Sequence, residues 1–414
     1  MRKVSDSKLL ALYASSHYLI HCPTLVFTAL IFPILRHFEL DFVQFGLVLT
    51  LRNLVSGLSS FLGGALSDQF SQRIFPPLSI MIIGGATLII GLFGGTSIYL
   101  LVSCLMVMSF ATALFHPSGM TTISDRFQKG RTKAFSIFSL GGQAGFGTGP
   151  LTVAGLLWLG GGVLQNWQLA YLLWSVPILC MSLIMVITHA RDPTIGVNTK
   201  REAETSRKPK VSTRPSAATT SLFFPAFLIL LVIMAIRGFG RNLFEPYLVP
   251  FLKQVRHISE ATAVFYLSML TLIGLPGTIL GGLGGDKYGE KRVLKYAYTL
   301  AVLGLILLLL LRSPILIPLI IFILAIGQNA AMPNINSLTA KIVPLRARGK
   351  AYGLTFLFPI MLGSVAPTAA AIIIRQLDYI AVFLLAIGLY VLSILLLFGI
   401  HERSDTKKVL KLNK

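Results

Sequence analysis

Apolar runs of about twenty residues recur along the whole chain, several without a single charge; Phe75–Gly95 and Ile98–Phe115 are two of them. A helix of about 20 residues crosses a hydrocarbon core of about 30 Å, so runs of this length read as membrane spans. The 414 residues are 54% hydrophobic and only 12% charged. Soluble domains carry about twice that charge, so secreted disulfide scaffolds, disordered chains and most soluble enzymes are excluded. The three cysteines, Cys22, Cys104 and Cys180, all sit inside apolar runs and read as small buried side chains.

Twelve spans are expected, near 9–35, 42–67, 75–95, 97–122, 133–158, 168–190, 222–252, 258–284, 291–311, 314–342, 348–374 and 379–400. The net charge of +21 would suit nucleic acid if it were clustered in a soluble face. Instead it follows the loops. Only Arg36, Lys253, Arg256, Arg312 and Arg375 fall on one side, and Arg52, Arg237 and Arg241 fall within spans. The remaining Lys and Arg fall on the other side, which by the positive-inside bias is cytoplasmic and holds both termini. The basicity thus reflects topology and anionic lipid, with no nucleic-acid partner. The first apolar run reads as a span, without a small-residue cleavage site after it.

Residues 191–221 are rich in Lys, Arg, Ser, Thr and Pro and read as a solvated cytoplasmic linker. The expected organisation is a six-helix unit at 1–190, the linker at 191–221, a second six-helix unit at 222–400 and a tail at 401–414. The two units repeat. Gly63-Gly64-Ala65-Leu66-Ser67-Asp68 pairs with Gly281-Gly282-Leu283-Gly284-Gly285-Asp286, and Arg131-Thr132-Lys133-Ala134-Phe135 with Arg348-Gly349-Lys350-Ala351-Tyr352. Pro33-Ile34-Leu35-Arg36 pairs with Pro250-Phe251-Leu252-Lys253, and His116-Pro117 with Met332-Pro333, all at nearly one separation. A parallel repeat of this kind is carrier architecture.

These features resemble the major facilitator superfamily over the whole chain. Its loop signature, Gly-x-x-x-Asp-Arg/Lys-x-Gly-Arg/Lys, is kept in the second half as Gly282, Asp286, Lys287 and Gly289, and is degraded in the first half to Gly64 and Asp68. Small residues there permit close helix approach, and the Asp can latch onto a neighbouring helix end. Span five carries Gly145, Gly149 and Pro150 within Gly141–Pro150, similar to the Gly-x-x-x-Gly-Pro stretch of drug and proton exchangers; close packing explains it equally well. Ser16-His17, Gln44-Phe45-Gly46, Phe115-His116-Pro117 and Gly130-Arg131 resemble the fosmidomycin-resistance branch over roughly residues 15–155. That branch continues after Phe-His-Pro with an acidic residue, where this chain has Ser118.

A charge at mid-membrane costs about 2.5–3.5 kcal/mol, so each one asks for a reason. Arg52 reads as a cavity cation for an anionic solute, or as a structural arginine on carbonyls. Arg237, Arg241 and Glu245 are spaced i, i+4 in span seven, which places them on one stripe; Arg241 and Glu245 can pair and leave Arg237 available. Glu245 reads as a protonation site or an outer ion pair, with Pro246 and Pro250 making this end bendable. His17 and His21 share a face of span one. Two histidines can bind metal, but no carboxylate or thiolate completes a set in the sequence, so proton relay or solute hydrogen bonding is expected and no metal, with a plain buried neutral histidine as the equal alternative. His116, Gln328 and Asn329 add hydrogen-bonding capacity. The resemblance implies that spans one, four, seven and ten line a central cavity. That makes Arg52, Arg237, Arg241, His21, His116, Gln328 and Asn329 candidate solute contacts, and Glu245, His17 and His21 candidate proton sites.

The expected protein is an all-α integral membrane carrier of twelve transmembrane helices in two pseudo-symmetric six-helix bundles. It is expected to sit as a monomer in the cell membrane, to use no cofactor and to be no enzyme. Its partners are protons, lipid and a small anionic solute or drug, with export favoured. Uptake of an organic anion metabolite is the alternative, and a transport-inactive receptor on the same scaffold the more distant one.

Overall fold

The computed structural model describes residues 4–69, 73–127, 131–192, 194–195, 217–343 and 348–400; for 61–69, 131–132, 217–224 and 348–353, and at 125, 340 and 356, it describes the backbone alone. All regular structure among the described residues is helical. In hydrocarbon a backbone must satisfy its own N–H and C=O groups, which a helix does within itself.

Twelve segments run along the bundle. Span one is Asp6–His21, Val26–Ala29 and Ile31–Phe38; spans two to six are Phe42–Gln69, Phe75–Phe93, Ile98–Arg126, Arg131–Leu159 and Leu169–Arg191. Span seven is Ala217–Phe244, a 3₁₀ turn at Glu245–Tyr247, and Leu248–Gln254. Span eight is Glu260–Leu272 with Gly274–Tyr288, span nine Glu290–Leu310, and span ten Ile317–Asn329 with Ala331–Ile342. Spans eleven and twelve are Arg348–Ser364 with Ala366–Gln376, and Tyr379–Phe398. Among the described residues ten of these are long and apolar enough to cross a membrane, and the bent first segment makes eleven. Span five supplies the twelfth: it has the length, 29 residues, but its glycines and Gln143 dilute its apolarity.

Prolines set the breaks. Proline removes an N–H and clashes with the carbonyl four residues back. Pro23 lies where span one breaks, and that span bends by 60° before Ile31. Pro246 opens the 3₁₀ turn of span seven, while Pro276, Pro333 and Pro367 each follow a break in spans eight, ten and eleven.

The packing repeats with the sequence. In the first half span one lies against five, two against four, and three against four and six; in the second half seven lies against eleven, eight against ten, and nine against ten and twelve. The halves meet through spans five and eight and through spans two and eleven, which exchange under the same six-span shift. This is the two-fold pseudo-symmetry of a duplicated bundle.

Contact between the halves is strong at the end that holds the short loops. Span five lies along Glu260–Leu272 of span eight and barely along Gly274–Tyr288. Buried Glu260 takes an ion pair from Lys253 at 2.5 Å and from Arg36 of the other half at 3.6 Å. The Lys253 ammonium sits 4.1 Å from the ring centre of Phe32, again across the halves. Deeper in, Thr50 and Thr368 share a hydrogen bond of 2.7 Å, and Ser268 donates to the Gly147 carbonyl at 2.6 Å.

Candidate functional site

The span-five glycines have a structural job. A Cβ added at Gly141, Gly145 or Gly149 would run into the backbone carbonyls of Ala14, Tyr18 and Cys22 in span one. Both rows advance four residues at a time, so two parallel helices mesh along their small faces. Gly142 faces the His17 ring itself, and Gly145 also lies against His21. The stripe therefore seats the two span-one histidines.

Those histidines meet a third. Nε2 of His17 lies 3.1 Å from Nε2 of His116, and Nε2 of His21 lies 3.2 Å from each of the others. His17 donates from Nδ1 to the Phe138 carbonyl at 2.7 Å, and His116 from Nδ1 to the Thr112 carbonyl at 2.8 Å. His17 stacks on Phe138 and His21 on Phe146, each with ring centres 4.0 Å apart. Among the described residues this is the one group of three or more His, Cys, Asp or Glu side chains close enough to share an ion. The donor absent near His17 and His21 in the sequence is thus a third imidazole, brought in by span four.

Arg52 lies elsewhere, in a cavity of ≈ 70 Å³ between the halves. Thr28 and Leu25 of span one, Asn53 of span two, Asn242, Glu245 and Pro246 of span seven, and Pro367 of span eleven share its wall. Arg52 donates to the Thr24 carbonyl at 2.6 Å, and no ion pair joins it to an acid among the described residues. Glu245 accepts from Nε and Nη2 of Arg241, one on each carboxylate oxygen, so that pair is internally matched. Asn53 and Asn242 were not singled out above, although each flanks a charged span residue; Asn242 also ties span seven to span eleven by donating to the Gly363 carbonyl at 3.0 Å.

Three expected solute contacts sit differently. Arg237 is buried and donates to the Gln328 carbonyl at 2.7 Å, outside the set that lines the Arg52 cavity. Successive steps of four residues rotate about 40° around a helix, and over eight residues this turns Arg237 towards span ten. The Gln328 amide is buried with Arg237, and neither of its polar atoms has a partner among the described residues. Asn329 donates to its own helix at Ala325 and packs over Gly274, a helix–helix contact. Gln143 accepts from Thr278 at 3.4 Å, joining spans five and eight.

Of the loop motif, Gly64 and Asp68 are described by their backbone alone, within the helix Phe42–Gln69. Asp286 and Lys287 are exposed at the end of span eight, where Gly289 takes φ of 89° and stops the helix. Gly281 and Gly285 pack tightly on span ten, where Asn334 donates to the Gly281 carbonyl at 2.8 Å. Pro150 lies within the continuous helix of span five.

A doubled helical bundle with an inter-half cavity and polar groups buried at its centre defines a membrane carrier. The sequence pattern of the Major Facilitator Superfamily matches residues 18–358 and 230–413, and the chain belongs to that family. It is 24% identical over 348 residues to the multi-drug resistance efflux pump PmrA of Streptococcus pneumoniae, covering 82% of this chain and 81% of that one. It is 26% identical over 267 residues to the fosmidomycin resistance protein of Escherichia coli (strain K12), which covers 64% of this chain. The chain spans 62% of the length of that relative in the match. The crystal structure of a bacterial homologue of the human lysosomal transporter Spinster superposes with a TM-score of 0.77 at 19% identity, covering 97% of both chains. The protein is thus a multi-pass membrane transporter of this fold.

Proposed function

We propose that the protein moves a small organic anion across the cell membrane by alternating access, coupled to protons and with export favoured, acting as a monomer with both ends of the chain cytoplasmic. The observation that carries the anion reading is Arg52. It lines the inter-half cavity with only a carbonyl on its guanidinium among the described residues, while the other charged group of that lining, Glu245, is offset by Arg241 beside it. An unmatched cation in a low-dielectric cavity attracts anions and repels cations. A charge-assisted hydrogen bond from it contributes about 1.5–3 kcal/mol, or about ten- to a hundredfold in affinity. Export is supported by the efflux and resistance proteins that the chain resembles.

Uptake is the second reading, and the Arg241–Glu245 pair favours it. A proton on Glu245 would release Arg241, so proton and anion would bind together rather than compete, and an inward proton gradient would then drive the anion in.

Reconstituted vesicles with a panel of carboxylates, phosphonates and lipophilic cations test both. Arg52→Gln should weaken anion binding at least tenfold, with Arg52→Lys intermediate. Unchanged affinity, or stabilisation by the cations alone, would remove the anion reading. The sign of the pH gradient that accelerates flux separates export from uptake.

A further inference from the structure

We infer that His17, His21 and His116 form a three-nitrogen site for a first-row divalent transition-metal ion of the zinc class. The three Nε2 atoms make a nearly equilateral triangle with sides of 3.1, 3.2 and 3.2 Å. Two of the rings have a fixed tautomer. A carbonyl oxygen only accepts, so Nδ1 of His17 carries the hydrogen facing Phe138 and Nδ1 of His116 the one facing Thr112. In the neutral rings both Nε2 atoms are therefore bare lone pairs, and they face each other across 3.1 Å. His21 has one hydrogen to offer at most. Its Nδ1 has no partner among the described residues, so this ring can carry its hydrogen there and present a third lone pair.

Ring orientation separates an ion from a shared hydrogen. A hydrogen bond aims two rings at each other, whereas a metal aims three rings at one point about 2.0–2.1 Å from every nitrogen. Ring centres lie about 1.1 Å behind Nε2, so three rings aimed at such a point have centres about 5.0 Å apart. The measured separations are 4.9, 4.9 and 5.1 Å. The same triangle gives nitrogen–metal–nitrogen angles of about 100°, close to tetrahedral. Carbonyls behind two of the imidazoles hold their orientation, as metal-bound histidines require. Imidazole donors alone select zinc, cobalt, nickel or copper over magnesium and calcium. Three protein ligands leave a fourth position for water or for an oxygen of a solute. A bound ion occupies every lone pair of the cluster, so it excludes a coupling proton from these rings and leaves Glu245 for that role. The metal assignment itself stands without the transport reading.

The test uses full-length protein without a polyhistidine tag, stripped by chelator and titrated with Co²⁺ near neutral pH. One equivalent should give the intense visible bands of four-coordinate cobalt, displaced by Zn²⁺. His116→Gln should weaken binding at least about a hundredfold, whereas His37→Gln, at an exposed histidine in the last turn of the helix Ile31–Phe38, should not. X-ray absorption of the zinc-loaded wild type should show three imidazole nitrogens at about 2.0–2.1 Å, a readout that does not depend on any variant folding. No saturable cobalt spectrum, a spectrum that survives His116→Gln, or zinc with only oxygen neighbours would overturn the assignment.

Discussion

Gly145 of span five lies directly on the backbone carbonyl of Tyr18 in span one, with no room between them for a methyl group. Gly145→Ala must push the two helices apart or distort one of them. Overpacking of this kind costs about 1–3 kcal/mol, so the variant should melt at lower temperature in detergent. Gly155 is the internal control. It lies on the same helix with nothing within 4 Å of an added Cβ, and alanine there should hold or raise stability by about 0.5–1 kcal/mol. Equal effects at the two positions would refute the meshing of spans one and five.

The contrast between those glycines shows where sequence reading stops. The length of the apolar runs predicts the spans apart from span five, whose glycines and Gln143 dilute its apolarity, because a bilayer imposes a fixed length on a helix. The i, i+4 spacing of Arg241 and Glu245 predicts their pairing, since that spacing alone brings the two side chains together. Arg237, at the same spacing, goes elsewhere, because which neighbour a stripe meets depends on how span ten packs. His17 and His21 are legible as a pair on one face. His116 joins them from 95 residues away in the chain, and no local pattern announces that meeting. Gly145 and Gly155 look alike in the sequence, and only the position of span one distinguishes them.

Glu260 ties the two halves together at the end that holds the short loops, directly through Arg36 and by anchoring Lys253, whose ammonium sits over Phe32 of the first half. Glu260→Gln removes the charge that both cations share. The cations are part-exposed, so contact between the halves at this end should lose up to about 1 kcal/mol, shifting the open-to-closed ratio up to about fivefold. Spin labels at Tyr99 and Ile315, exposed residues at the same end of the two halves, should report a longer distance population in the variant. An unchanged distance distribution would show that the cluster does not hold the gate.

Asp192, just past the end of span six, gathers the end of the first half where the N-terminal segment and the end of span four meet. It accepts from the Val4 N–H at 2.9 Å and from Thr194, and lies 3.7 Å from the Arg126 guanidinium. Burial pushes its carboxyl up, but those hydrogen bonds and Arg126 outweigh it and hold the group below the usual carboxylate range. A group depressed on folding stabilises the fold above its unfolded value of about 3.9, and that stabilisation disappears as pH falls through the lower folded value. Asp192→Asn should therefore lower the melting temperature at neutral pH, and the gap to wild type should narrow only below about pH 4. A gap that stays constant down to pH 3 would count against an ionised Asp192 as the cause.

Glu245 faces the Arg52 cavity and is bound to Arg241. If it carries the coupling proton, Glu245→Gln fixes the neutral state without changing the shape of the side chain. Arg241 is then permanently released from its partner beside the cavity, which should bind anions at least as well as the wild type. Exchange of solute across vesicles at equal pH should continue, because that cycle needs no net proton movement. Accumulation driven by a pH gradient should disappear, because the gradient no longer acts on a titrating group. Arg241→Ala should do the reverse harm: it strands a partly buried carboxylate, at a cost of about 1–3 kcal/mol that the added change Glu245→Ala should largely recover. Gradient-driven flux that persists in Glu245→Gln would move the coupling away from span seven, leaving the pair as a structural tie beside the cavity.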